Sequence, residues 1–267
     1  MVEVFDQAEG LRRMLSRDFV RVVGVAVTAP QRQTILESLG AAFAARDKRA
    51  LVLVTEPDPT ITWEPTFVPC DLETVVGSAG DAGKITKRSA QGFERAVAAR
   101  TGVAAWDSLR CQRLLRCLSS GEARPDVILM DIPPATGRQV SPFAGLAQEV
   151  LIVINEHPQS ITATYALIKV LAQDFDKRLF RVAVYGVDDN QGEQIIARLG
   201  SAARRFLAVR IESAGCLGAW HGQGEDSTQH TDCVKLSETI DAWPYPGRTP
   251  AWAGGQRAGV GHAAPDR

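Results

Sequence analysis

The 267-residue sequence lacks the features that mark several classes of protein. No stretch approaches the roughly 18 consecutive apolar residues that a membrane-spanning helix needs. The formal net charge is only -1, so composition gives no argument for nucleic-acid binding. The five cysteines are an odd, scattered set, which is typical of thiols in a reducing compartment and not of a disulfide framework. We therefore expect a cytoplasmic globular protein without a signal peptide.

Apolar strand patterns and helical patterns alternate along most of the chain. Continuous apolar runs, typical of strands covered on both faces, occur at 20–27, 49–55, 126–132, 149–155 and 180–187, with a shorter one at 207–215. Helical periodicity is found at 33–48, 89–100, 106–119, 160–175 and 190–206. The alternation predicts a doubly wound α/β domain over residues 20–215, with a mostly parallel sheet and helices on both faces. We expect the first two strands to be neighbours in that sheet.

A short amphipathic helix is predicted before this domain, within residues 1–19. Its apolar positions recur near helical spacing and are Phe5, Ala8, Leu11 and Leu15. At about 100° per residue, Gln7 lies beside Leu11 and Met14, on the edge of the apolar stripe. The helix either covers part of the body or serves as a docking peptide with a functional glutamine.

Residues 216–267 are polar and rich in turn-forming residues, and we predict a largely disordered tail. A weak helix is expected within it at 234–243. Four possible zinc ligands fall in or beside this segment, although their spacing matches no common finger pattern; they are Cys216, His221, His230 and Cys233.

The loop after the first predicted strand, TAPQRQT (28–34), contains no glycine. A phosphate cradle needs converging backbone N–H groups, which residues without Cβ allow, and Pro30 has no N–H to give. No Gly-Lys-Ser/Thr sequence supplies a phosphate lysine and a magnesium ligand. The residues left as candidates for an unusual nucleotide site are Arg32 and Thr34. Asp131, at the carboxyl end of a central strand, is where a carboxylate would orient magnesium or water, but without a phosphate loop we interpret it as structural.

Several segments resemble the MinD/ParA class of deviant Walker ATPases, in particular LVLVTEPDP, DVILMDIPPA and EVLIVINEHPQSITATYALIKVL. The sequence DQAEGLR at 6–12 resembles the opening helix of one branch, the FlhG (FleN, YlxH) regulators of flagellar number and placement. The motif positions that match are Asp6, Gln7, Ala8, Leu11 and Arg12. The sequence ARRFL at 203–207 is also similar to this branch, and the resemblance covers about residues 5–215.

The resemblance implies a P-loop NTPase-like fold of the MinD/ParA type and an N-terminal helix that stimulates an FlhF-like GTPase. It implies that Gln7 reaches the partner's nucleotide, where a glutamine amide can orient the attacking water. Flagellar switch or regulatory proteins are further partners that it suggests. Residues 216–267 show no clear equivalent of the family's membrane-binding helix, so membrane contact is not expected.

The chain also departs from the family pattern at its nucleotide elements. The loop lacks both family lysines, Thr-Glu-Pro at 55–57 stands in place of an Asp-containing strand end, and Tyr185 stands where a base-reading asparagine is expected. The leading hypothesis is therefore a non-enzymatic regulator with a degenerate site and no cofactor. One alternative is an active ATPase that binds Mg-ATP through Arg32 and Thr34. Another is an accessory protein of a different MinD-like system, such as cellulose secretion.

Overall fold

The structure is a computed structural model, and it describes residues 20–28, 31–55, 86–98, 106–119, 124–133, 140–218 and 227–244. Within these residues the strands are Arg21–Val27 (β1), Ala50–Val54 (β2), Lys87–Arg88 (β3), Glu94–Val97 (β4), Val127–Asp131 (β5), Glu149–Asn155 (β6), Leu179–Tyr185 (β7) and Arg210–Leu217 (β8). The helices are Arg32–Ala44 (α1), Ser108–Leu118 (α2), Pro158–Asp174 (α3), Asp189–Leu207 (α4) and Ser227–Ala242 (α5), with a 3₁₀ turn at Pro142–Gly145.

All eight described strands form one sheet, in the order β3-β4-β2-β5-β1-β6-β7-β8. Strands β3 and β4 pair antiparallel, and the other neighbouring pairs are parallel. Helices α1 and α5 pack on one face of the sheet, and α2, α3 and α4 pack on the other. The predicted doubly wound, mostly parallel α/β fold is therefore confirmed.

Strand β1 shows why its sequence is apolar at every position. Val23 and Val25 belong to the core on the α1 and α5 face, whereas Val22 and Ala26 belong to the opposite core. A fully buried aliphatic side chain of this size contributes about 1.5–3 kcal/mol. Gly24 is required by close packing, because a Cβ there would lie 2.5 Å from Ile132 Cδ1.

The prediction that β1 and β2 are neighbours is wrong, because β5 lies between them. The crossover rule sets the handedness of a connection but does not require that consecutive strands pair. In this sheet β1 is central, so that its neighbours are β5 and β6.

The helix predicted at 89–100 is also wrong. The chain forms the β3–β4 hairpin, with Gly92 at a φ of +90°, and Glu94 pairs with Leu51 of β2. The apolar spacing of Phe93, Ala96 and Val97 fits a helix locally, but pairing with the sheet decides the conformation.

Helix α5 is longer than the weak helix predicted in the polar tail, and it packs on the body. Its buried side chains follow helical spacing and are Cys233, Leu236 and Ile240, followed by Trp243. They share a core with α1, so residues 227–244 form part of the packed domain. None of the described helices is long and apolar enough to cross a membrane.

Candidate functional site

The candidate site lies where the parallel strands β1, β5 and β6 end, which we call the carboxyl edge. The connection from β1 through α1 runs to β2 on one side of β1, whereas β6 lies on the other side of β1. The direction in which strands are added to the sheet therefore reverses at β1. In open α/β sheets, ligands bind outside the strand ends at such a switch point. The described residues at this position are Thr28, Thr55, Asp131 and Asn155, together with the first turns of α1 and α3.

An ion pair joins two of the predicted site residues. Arg32 is the first residue of α1, and its Nε lies 3.7 Å from Oδ1 of Asp131, the last residue of β5. The Asp131 side chain is 1% exposed and the Arg32 side chain is 22% exposed. The single cation of the loop 28–34 is thus directed to a buried protein carboxylate, which neutralises it.

The start of α1 is a second part of the candidate site that could meet an anion. Its N-cap residue, Gln31, makes no side-chain capping hydrogen bond, and no acidic residue lies in the first turn. Gln31 Oε1 is buried and accepts no hydrogen bond from the described residues. Thr34, the other candidate of this loop, is half-buried in the first turn. A helix N-terminus favours an anion, and the anion that the described residues place beside Arg32 is the Asp131 carboxylate.

A cluster of three hydroxyl groups closes the end of β1, and the sequence analysis missed it. Thr28 Oγ1 lies 2.7 Å from Ser160 Oγ and 3.1 Å from Thr164 Oγ1. Asn155 N donates to Ser160 Oγ at 3.1 Å, and Thr28 N donates to Val153 O at 3.0 Å. These groups satisfy one another instead of facing a ligand. The available signal was the spacing of Ser160 and Thr164, which places both on one face of α3.

Thr55 stands at the end of β2, where the family pattern has a carboxylate. Its Oγ1 donates to the backbone oxygen of Asp131 at 2.9 Å, and the residue is fully buried. The hydroxyl therefore ties the ends of two neighbouring strands together. Its role here is structural.

The remaining candidates divide into those that the structure describes and those that it does not. Asp6, Gln7, Ala8, Leu11 and Arg12 lie outside the described residues. Tyr185 is half-buried and packs against the core on the α1 and α5 face.

A metal centre receives no support from the part of the chain that the structure describes. No group of three or more His, Cys, Asp or Glu side chains is placed to hold an ion there. Burial raises the pKa of Cys233 to about 12 and that of Cys216 to about 11, so both thiols are protonated near neutral pH. His221 and the His230 side chain lie outside the described residues.

Comparison with known proteins identifies a relative over half of the chain. The antiactivator FleN of Pseudomonas aeruginosa is 35% identical over 148 residues, which cover 50% of this chain and 52% of FleN. Over those 148 residues this chain is similar to FleN. The match spans about half the length of that curated relative, and no family model matches the chain.

Solved structures share the fold of this chain. The MinD cell division protein of Aquifex aeolicus superposes with a TM-score of 0.59 at 16% identity, covering 85% of this chain and 99% of MinD. A putative plasmid partition protein of Borrelia burgdorferi, bound to AMPPNP, gives 0.59 at 9% identity, with 83% and 98% covered. A ParA family ATPase of Chlorobium tepidum gives 0.53 at 17% identity, with 83% and 97% covered. The fold is that of the MinD/ParA ATPases.

Proposed function

We propose that this chain is an FlhG-like regulator of flagellar number and placement, which acts in the cytoplasm through protein contacts and does not bind ATP. The observation that carries the regulatory part is the 35% identity to the antiactivator FleN over half of the chain. The ion pair between Arg32 and Asp131 supports the loss of ATP binding.

The physical reason for lost ATP binding is a missing set of donors. A phosphate loop gains affinity from converging amides and a lysine charge, and charge-assisted hydrogen bonds are its strongest contacts. In this chain the Arg32 guanidinium already pairs with the buried Asp131 carboxylate, which weakens its attraction for a phosphate. The alternative function is an active ATPase that binds Mg-ATP through Arg32 and Thr34, and the MinD/ParA fold is compatible with it.

The proposed activator is the N-terminal segment, with Asp6, Gln7, Ala8, Leu11 and Arg12 as the contact residues. The apolar stripe around Leu11 binds an FlhF-like GTPase, and the Gln7 amide orients the attacking water by donating and accepting hydrogen bonds. Arg12 lies at the rim of that contact. Regulatory and flagellar switch proteins are proposed as further partners.

The described surface offers a second feature suited to protein contact. Phe206, near the end of α4, is 67% exposed, and the Arg205 guanidinium lies 5.2 Å from its ring centroid. Arg204 is exposed beside them. Aromatic and arginine side chains are enriched at protein interfaces, so this part of α4 supports function through binding.

The test is GTP hydrolysis by the FlhF-like GTPase of the same organism. We expect both the full chain and a peptide of residues 1–20 to raise the hydrolysis rate. Gln7→Ala abolishes the increase without changing the melting temperature, while Gln173→Ala, an exposed glutamine on α3, leaves the increase intact. A hydrolysis rate that neither the chain nor the peptide changes would overturn the activator role.

A further inference from the structure

Helix α4 presents an exposed row of side chains with opposite charges at its two ends. The row, which we call the α4 stripe, consists of Glu193, Ala197, Ser201 and Arg204, and all four residues are exposed. At about 100° per residue, the 11 positions from Glu193 to Arg204 bring these two side chains within about 20° of the same direction. At a rise of about 1.5 Å per residue, they lie roughly 16 Å apart along the helix axis.

Neither charge of the α4 stripe has a partner of opposite sign within the helix. Side chains of opposite charge stabilise a helix when they are three or four residues apart. The residues at these spacings from Glu193 are Asp189, Asn190, Ile196 and Ala197, and those from Arg204 are Gly200, Ser201, Leu207 and Ala208. No ion pair in the part of the chain that the structure describes includes Glu193 or Arg204. Both charges are therefore available for a contact with another molecule.

The helix dipole explains only part of this charge pattern. It favours acidic side chains in the first turn of a helix and basic side chains in the last turn. Arg204 lies in the last turn of α4, but Glu193 is past the first turn, where the effect of the dipole has fallen off. Asp189 carries the same charge four residues before Glu193, and like charges at this spacing destabilise a helix. Glu193 thus gains no support from its own helix.

We propose that α4 pairs in antiparallel orientation with α4 of a second copy of this chain, around a two-fold axis near residues 198–199. A two-fold axis gives an interface in which every contact occurs twice. Here it places Glu193 of each copy opposite Arg204 of the other. Ala197 and Ser201 lie close to the axis, where small side chains allow a short distance between the two helices.

Charge complementarity favours a second copy over a different partner. A partner surface of one charge sign would neutralise one end of the α4 stripe and leave the other end unpaired. An antiparallel copy of α4 supplies an acidic and a basic side chain at the correct spacing. Phe206 lies about 200° around the helix from Arg204, so the contact proposed for Phe206 uses another side of α4. This inference is therefore independent of the proposed activation of a GTPase.

Sedimentation velocity of the full chain, over a range of protein and salt concentrations, measures the association. A single pair of helices is smaller than a standard interface of about 1,600 Å², so we expect a weak dimer whose fraction rises with protein concentration. We also expect that fraction to fall several-fold when the salt concentration is raised from about 0.05 M to about 0.5 M, because salt screens exposed charges.

Two charge reversals test the antiparallel arrangement. Glu193→Arg gives the α4 stripe two basic ends, and Arg204→Glu gives it two acidic ends. Each variant alone brings like charges together, so we expect its association to weaken at least tenfold. An equal mixture of the two variants restores the dimer, because one copy then has the charges that the other needs at both ends.

The matched controls are Glu238→Arg on α5 and Lys48→Glu after α1, which make the same charge changes at other exposed positions. We expect both controls to associate like the wild type, and all four variants to keep its melting temperature. A chain that is monomeric at every concentration would overturn the inference. Single reversals that associate like the wild type, a mixture that stays monomeric, or equal weakening in the controls would also overturn it.

Discussion

The two edges of the central sheet carry buried ion pairs of different kinds. At the carboxyl edge, Asp131 pairs with Arg32, whose side chain is 22% exposed. At the opposite edge, where the parallel strands begin (the amino edge), Arg21 and Arg181 share Glu149, and all three side chains are at most 9% exposed. Arg21 also donates to the backbone oxygens of Ile240 and Trp243 at the end of α5, and the Arg181 guanidinium lies over the Trp243 ring. Both edges join distant parts of the chain, but the amino edge places two arginines on one buried carboxylate. We therefore expect the packing of this MinD/ParA-type sheet to depend more on the amino edge than on the nucleotide position.

Breaking the amino-edge network has the largest expected effect. Arg181→Met leaves Glu149 with one arginine and removes the stack on Trp243, and we expect a loss of about 3 kcal/mol in the free energy of unfolding. Urea unfolding measures the loss. The double variant Arg181→Met, Glu149→Met recovers part of it, because the buried carboxylate is removed as well. A single variant as stable as the wild type would contradict the role given to this edge.

Packing between α4 and β8 gives the next largest effect. A Cβ on Gly192 would lie 2.2 Å from Cys216 Sγ, so we expect Gly192→Ala to destabilise the fold by about 1–2 kcal/mol. In a Cys216→Ala background the clash is absent, and the better helix propensity of alanine stabilises α4 by up to about 1 kcal/mol. Thermal unfolding of the four proteins measures both values. If Gly192→Ala lowers the stability in both the wild-type and the Cys216→Ala background, the side chain of Cys216 is not what clashes with the added Cβ.

At the carboxyl edge, removing the charge of Asp131 is expected to change the free energy of unfolding only slightly. Asp131→Asn removes the charge that pairs with Arg32 but also removes a carboxylate that is costly to bury, and Arg32 can reach water. We expect a change below about 1 kcal/mol in the free energy of unfolding, measured in urea as for Arg181→Met. A loss equal to that of Arg181→Met would remove the difference between the two edges.

The pH dependence of Glu149 is expected to be the smallest effect. Burial is the main cause that raises the pKa of Glu149 above its ordinary value of 4.5, against the opposing effect of Arg21 and Arg181. Between the ordinary and the raised pKa, the folded chain binds a proton that the unfolded chain does not. The Glu149 contribution to stability therefore grows as the pH falls through the raised pKa.

The comparison of wild type with Glu149→Gln isolates this contribution. We expect the difference in their free energies of unfolding to shift in favour of the wild type from neutral to mildly acidic pH. A difference that does not change with pH, or that shifts the other way, would contradict the raised pKa.

Most of the fold could be predicted from the sequence because its strands are buried on both faces. Such strands read as continuous apolar runs, and β1, β2, β5, β6 and β7 all have them. The four-residue strand Glu94–Val97 could not be predicted, since its pairing with β2 is a non-local contact. The length and packing of helix α5 could not be predicted, because its few apolar residues are buried only through contact with α1.

For the candidate site, the sequence predicts mainly which phosphate-binding residues are missing. The absence of glycine and lysine from residues 28–34 can be read directly from the sequence, whereas the pairing of Arg32 with Asp131 depends on the tertiary fold. The amino-edge network left a weak signal. Arg21, Glu149 and Arg181 each occur among the first residues of an apolar strand, where a charged residue is easily mistaken for a solvated strand end.

Calorimetric titration of the full chain with Mg-ATP and with Mg-ADP tests most directly whether the carboxyl edge has lost nucleotide binding. A MinD/ParA ATPase with an intact Gly-Lys-Thr loop, titrated in parallel, is the positive control. We expect no heat of binding for this chain, because Arg32 is paired with Asp131 and residues 28–34 contain neither the glycines nor the lysine of a phosphate loop. A micromolar dissociation constant for Mg-ATP would contradict it and favour the active ATPase.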